Sequence, residues 1–155
     1  MSMEGNLYRK IEADIKHAFK TGDALRRSVL VMLKSAIANK AIENREKDAA
    51  PSDQMVQDLV SIEVKRRRDT MAQYEAAGRA DLAEKEKQEL AILMDFLPQQ
   101  LTEEEIASLV DLAVLETKAQ GEKDFGKVMG ALASKIKGRA DGAAVSKIVK
   151  AKLLG

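Results

Sequence analysis

Cysteine and tryptophan are absent from the 155 residues, and there are only three Phe, two Tyr, two Pro and one His. Without cysteine there is no disulfide framework, thiolate nucleophile or thiolate metal site, a usage that suits a reducing compartment. No apolar run approaches the roughly 20 residues that a membrane-spanning helix needs. The opening MSMEGNLYRK also lacks the apolar core of an export signal, so a cytoplasmic setting is expected. His17 has no second His or Cys to join and no carboxylate four residues away. It is read as a surface helix residue; no metal site and no cofactor are expected.

What remains is rich in Ala, Leu, Ile, Val and Met, 45% apolar and 33% charged, a composition suited to amphipathic helices. The expected fold class is all-α. Leu7, Ile11, Ile15, Ala18 and Phe19 recur at helical spacing up to a stop near Thr21-Gly22. Asp23 can cap a second helix that turns Leu25, Val29, Met32 and Ala36 to one side and runs to about Lys47. Ser52 caps a long third helix closed by Gly78, and a fourth, roughly Ala80 to Phe96, turns Leu82, Leu90, Leu93 and Met94 inward. Pro98 disfavours helix at Leu97, which places a domain boundary there. Thr102 and Glu105 have capping-box spacing, and Leu101 and Ile106 stand where a hydrophobic staple would. That fifth helix is expected to end near Gly121. A sixth from Phe125 to Lys137 buries Phe125, Val128, Met129, Leu132 and Ile136, and a seventh follows Asp141. The reading is two helical domains, four helices over residues 1–97 and three over 98–155.

Two motifs imitate chemistry. GEKDFGKV, Gly121 to Val128, nearly spells a phosphate-binding loop, but Val128 stands where magnesium needs a hydroxyl and no strand precedes it. Lys65-Arg66-Arg67-Arg68 resembles a nucleic-acid patch, yet four successive residues spread around a helix. Arg67 falls near the centre of the Val60, Val64, Met71, Tyr74 stripe and should be partly buried, either snorkelling or paired with a carboxylate; Arg66 and Arg68 stay open to RNA contact. The serines sit singly, and Glu84, Glu86 and Glu89 lie among lysines in the manner of a solvated, salt-bridged face. No catalytic constellation emerges.

The net charge of +1 conceals an asymmetry. Residues 101–124 carry two basic and seven acidic side chains, whereas residues 125–155 carry seven and one. Lys127, Lys135 and Lys137 are read as lying opposite Phe125 on the sixth helix, and Lys147 and Lys150 opposite Val145 on the seventh. Gly138 ends one helix, Asp141 caps the next, and Arg139 is left exposed at the corner. An ordinary lysine-rich face and a surface for a polyanion both fit this pattern. With no exposed aromatic, RNA would be held by phosphates and shape more than by unpaired bases.

KRRRDTMAQYEAAGRADLAEKEKQELAILMDFLPQQLTEEEI, Lys65 to Ile106, closely resembles the signature of the YqeY family of small bacterial proteins, and FGKVMGALASKIKGRADGAAVSKIV resembles its C-terminal part. The latter is also similar, more distantly, to the tail of the B subunit of the tRNA-dependent amidotransferase, at Gly126, Val128, Met129, Lys137, Gly138 and Ala140. The resemblance implies a tail-like domain over residues 98–155 associated with tRNA recognition. Val128, Met129 and Ala140 would pack, Gly126 and Gly138 would serve backbone geometry, and Lys137 would contact RNA. It would also attach the label of a carbon-nitrogen ligase with glutamine as amido-N-donor, but neither the amidase Ser-Ser-Lys arrangement nor the B subunit's catalytic cradle is present. The leading expectation is a non-catalytic protein that binds tRNA or structured RNA through Lys127, Lys135, Lys137, Gly138, Arg139, Lys147 and Lys150. The alternatives are an accessory factor in amidation of charged tRNA, partnered by an amidotransferase or other translation proteins, and a helical protein-interaction adaptor.

Overall fold

The computed structural model describes residues 6–44 and 51–155. Among them are seven α-helices, one 3-10 turn and no strand, so the protein is all-α. The helices are α1 (Asn6–Thr21), α2 (Ala24–Glu43), α3 (Asp53–Ala76), α4 (Ala80–Met94), α5 (Glu103–Thr117), α6 (Phe125–Ile136) and α7 (Gly142–Leu154), with the turn at Glu122–Asp124. Four of the starts are set by short polar side chains that take an otherwise unpaired amide. Asp23 accepts from the Arg26 N–H, Ser52 from Met55, Thr102 from Glu105 and Asp141 from Ala143. Helix ends α1 and α3 run into Gly22 and Gly78, whose φ values of 77° and 73° a side chain would resist.

The chain divides into two compact units, Met1–Leu97 and Pro98–Gly155. In the first, α1 packs on α2 and α3 on α4, around Ile11, Leu30, Leu33, Ile37, Val56, Val60, Leu93 and Phe96. Each such aliphatic side chain contributes about 1.5–3 kcal/mol by leaving water. Arg26 of α2 fastens this unit by reaching Asp14 at 3.1 Å and Asp95 at 3.0 Å. In the second unit α5, α6 and α7 each touch the other two, around Ile106, Val110, Ala113, Val128, Leu132, Ile136, Val145 and Val149.

Several inward faces differ from those read from spacing. Met32 is 60% exposed, and α2 instead buries Val29, Leu30, Leu33 and Ile37. Its VLVML run is apolar on every side, so a different register of the same helix wins the core. Phe19 is 65% exposed, with the Arg27 guanidinium 4.7 Å above its ring. The described part of α2 closes at Glu43, and the expected continuation to Lys47 lies outside the described residues. Helix α5 stops at Thr117, four residues before Gly121, because Lys118 itself takes the left-handed conformation, φ 56°.

Candidate nucleic-acid interface

Arg67 comes first, because its neighbours make it part of the framework. Its Nη1 donates to Glu89 at 2.6 Å and Glu86 at 3.4 Å, while its Nε is buried without a hydrogen-bond partner. The two acids read as a solvated face are thus turned onto α3, and only Glu84 of that trio is exposed. Arg66 is exposed and held by Glu63 at 3.1 Å, and Arg68 rests its guanidinium 3.9 Å from the Met94 sulfur. The KRRR run is therefore spread over distinct environments.

The C-terminal unit holds the other candidates. At the near-miss phosphate loop Asp124 accepts from the N–H of Gln120, the residue before the loop, at 2.8 Å, and Val128 is fully buried in the core. Phe125 is only half-buried, contrary to its expected role as a core residue. It lines a cleft of about 330 Å³ with Glu122, Lys150, Leu153 and Leu154, and the Lys150 ammonium stands 5.5 Å from its ring centre.

The predicted cations separate into three groups. Lys127 on α6 and Lys137, the residue just past its end, lie ten residues apart, 80° around the helix axis at 100° per residue, and both are exposed. On that side Gly130 and Ser134 lie between these two directions and Gly126 and Ala133 just beyond that of Lys137, all four exposed, which gives α6 an outer face of small residues with Lys127 at one edge. A Cβ built at Gly126 or Gly130 would meet nothing within 4 Å, and neither residue has a left-handed φ. Gly126 therefore does not have the backbone-geometry role expected for it. Lys135 is a flank residue: ten residues from Phe125, it returns to about 80° from that ring and reaches Glu116 of α5 at 3.7 Å. Lys147 is exposed on α7, whereas Lys150 is drawn towards Phe125.

The corner at Gly138 is built by residues that spacing did not single out. Gln100 Nε2 donates to the carbonyls of Pro98 and Gly138, both at 2.8 Å; Leu101 N–H donates to Arg139 O at 2.8 Å; and Arg139 Nε donates to Gln99 O at 3.2 Å. Arg139 is accordingly half-buried instead of exposed. Gly138 itself has φ 72°. The contacts come from a segment almost 40 residues away in the chain, which local periodicity cannot report.

His17 is exposed on α1, and among the described residues no group of three or more His, Cys, Asp or Glu side chains is placed to hold a metal ion. Nor is any helix among them long and apolar enough to cross a membrane.

Comparison with known proteins gives a consistent family assignment. The family described as Yqey-like protein matches residues 8–153. A protein named altered inheritance of mitochondria protein 41, mitochondrial, from Kluyveromyces lactis is 31% identical over 125 residues, 76% of this chain and 66% of that one. Its namesake from Pyrenophora tritici-repentis is 31% identical over 146 residues, 91% of this chain and 77% of the relative. That from Candida glabrata is 30% identical over 94 residues, 61% and 51%. The chain thus spans from about half to about three quarters of these curated relatives.

Proposed function

The chain belongs to the family of Yqey-like proteins, and on that premise we propose that its C-terminal unit binds structured RNA, tRNA first among candidates, without catalysing a reaction. The observation that carries this reading is the outer face of α6. A glycine inside a helix costs roughly 0.5–1 kcal/mol relative to alanine, yet Gly130 is exposed, with nothing near it that a methyl group would strike. Gly126 repeats the feature one turn earlier, Lys127 stands at the edge of the same face, and Lys137 follows just past its C-terminal end. A smooth strip with one cation at its edge and another at its end lets a sugar-phosphate backbone approach the helix closely while the ammonium groups meet its charge.

Lys147 extends the contact on α7. The corner at Gly138 holds Lys137 and Arg139 in fixed relation to the segment before α5. Resemblance of residues 125–149 to a tRNA-handling tail adds to the reading; a part in glutamine-dependent amidation of charged tRNA rests on that resemblance alone. The proposed setting is the cytoplasm, while the relatives' names speak of mitochondria in their own case.

A salt-titrated gel shift with total tRNA tests the proposal. If Lys127, Lys147 and Lys150 each neutralise a phosphate, log affinity should fall against log salt with a slope of roughly −2 to −2.7. Absence of binding at low salt, or binding unchanged by Lys127→Glu with Lys147→Glu, would refute it.

A further inference from the structure

The opposite electrostatic character of α5 points to a second surface on the same unit. Leu101, Glu104, Glu105, Ser108, Leu109, Leu112 and Arg139 line a groove of about 570 Å³. Glu105, Ser108, Leu112 and Leu115 fall at steps of three, four and three residues, so they follow one line along the helix. Small Ser108 deepens its middle, and Leu109 and Leu112 supply apolar walls. Leu115 continues the line beyond the groove and is 75% exposed. Two leucines in open water on one face of a 58-residue unit are the kind of apolar surface that marks an interaction site.

Charge identifies the occupant. Of the acids on α5, Asp111 is taken by Lys152 at 2.7 Å and Glu116 by Lys135 at 3.7 Å. Glu104 and Glu105 are exposed and border the groove near its Leu101 end. Arg139 stands at that same end, its Nε fixed on the Gln99 carbonyl, which leaves its Nη groups as the cationic edge.

We propose that this groove docks an amphipathic helix of a partner protein, with an apolar stripe on Leu109, Leu112 and Leu115 and Lys or Arg residues against Glu104 and Glu105. Leu101 to Leu115 spans roughly 20 Å at 1.5 Å per residue, which accommodates about four helical turns. The surface is independent of the α6 lysines, so RNA and protein would be held on different helices of one small unit.

The test uses the full chain, labelled with nitrogen-15, and two synthetic 18-residue helical peptides that share a leucine stripe and differ in carrying Lys or Glu beside it. The Lys peptide should shift the amides of Leu101, Glu104, Glu105, Ser108, Leu109 and Leu112, and bind about tenfold or more tightly than the Glu peptide. Glu104→Lys with Glu105→Lys should reverse that preference. Leu112→Glu, at an exposed site, should weaken both peptides with an unchanged thermal melt. Equal binding of the two peptides, shifts confined to other helices, or dilution-dependent shifts of these amides without peptide, which would mark a second copy as occupant, would each overturn the proposal. None of these outcomes bears on tRNA binding.

Discussion

Arg67 of α3 and Glu89 of α4 meet at 2.6 Å with side chains only 13% and 16% exposed, so the most cationic run of the sequence is anchored at its centre by an interhelical ion pair. Partial burial makes the contact costly to break from one side. Arg67→Ala strands two acids and is expected to lower unfolding free energy by about 3 kcal/mol, against about 0.5 kcal/mol for Arg66→Ala, whose pair with Glu63 is solvated. Urea titration of both variants measures the difference; equal losses would contradict the assignment.

Gly130 and Gly138 should respond in opposite directions to alanine. At Gly130 the helix gains stability, by about 0.5–1 kcal/mol, because the backbone is helical and the space is open. At Gly138 the left-handed φ of 72° makes a Cβ cost about 1–2 kcal/mol, although the nearest atom, Pro98 Cδ, would be a comfortable 3.8 Å away. Gly130→Leu is expected to keep the fold and weaken tRNA binding, which thermal melts and gel shifts would separate.

Lys135 and Lys147 should not be equivalent in RNA binding. Lys135 is engaged by Glu116, whereas Lys147 is exposed on α7. Lys147→Ala should reduce the salt slope by about 0.7–0.9, and Lys135→Ala by less. Glu116→Gln, which releases Lys135, should tighten binding.

At the start of α4 the Arg79 side chain donates to Asp81 through two nitrogens, at 3.3 and 3.2 Å. That hydrogen bonding lowers the Asp81 pKa below its usual value. A lowered folded-state pKa contributes stability above the unfolded value of about 3.9 and loses it as pH falls through the folded value. Carboxyl NMR titration of Arg79→Gln should show the Asp81 midpoint moving up. The stabilities of variant and wild type should converge below the carboxylate range.

Helix starts were legible because a cap is a local event: Asp23, Ser52, Thr102 and Asp141 each meet an amide two or three residues on. Orientation was less legible wherever apolar residues surround a helix, as Met32 shows. The end of α5 was hidden because a lysine, Lys118, took a conformation that glycine usually announces. Within the candidate site, the exposure of Lys127, Lys137 and Lys147 followed from spacing. The tie of Arg139 to Gln99 and the pairing of Lys135 did not, since both depend on segments distant in sequence.

The clasp formed by Gln100 on Pro98 and Gly138 sets where this RNA-binding candidate can be cut from its chain and grafted elsewhere. A fragment beginning at Pro98 carries its own fastening. One beginning at Thr102, at the visible helix cap, would give the Gly138 and Arg139 carbonyls to water and leave the left-handed turn without its brace. The transplantable module therefore starts four residues before its first helix cap.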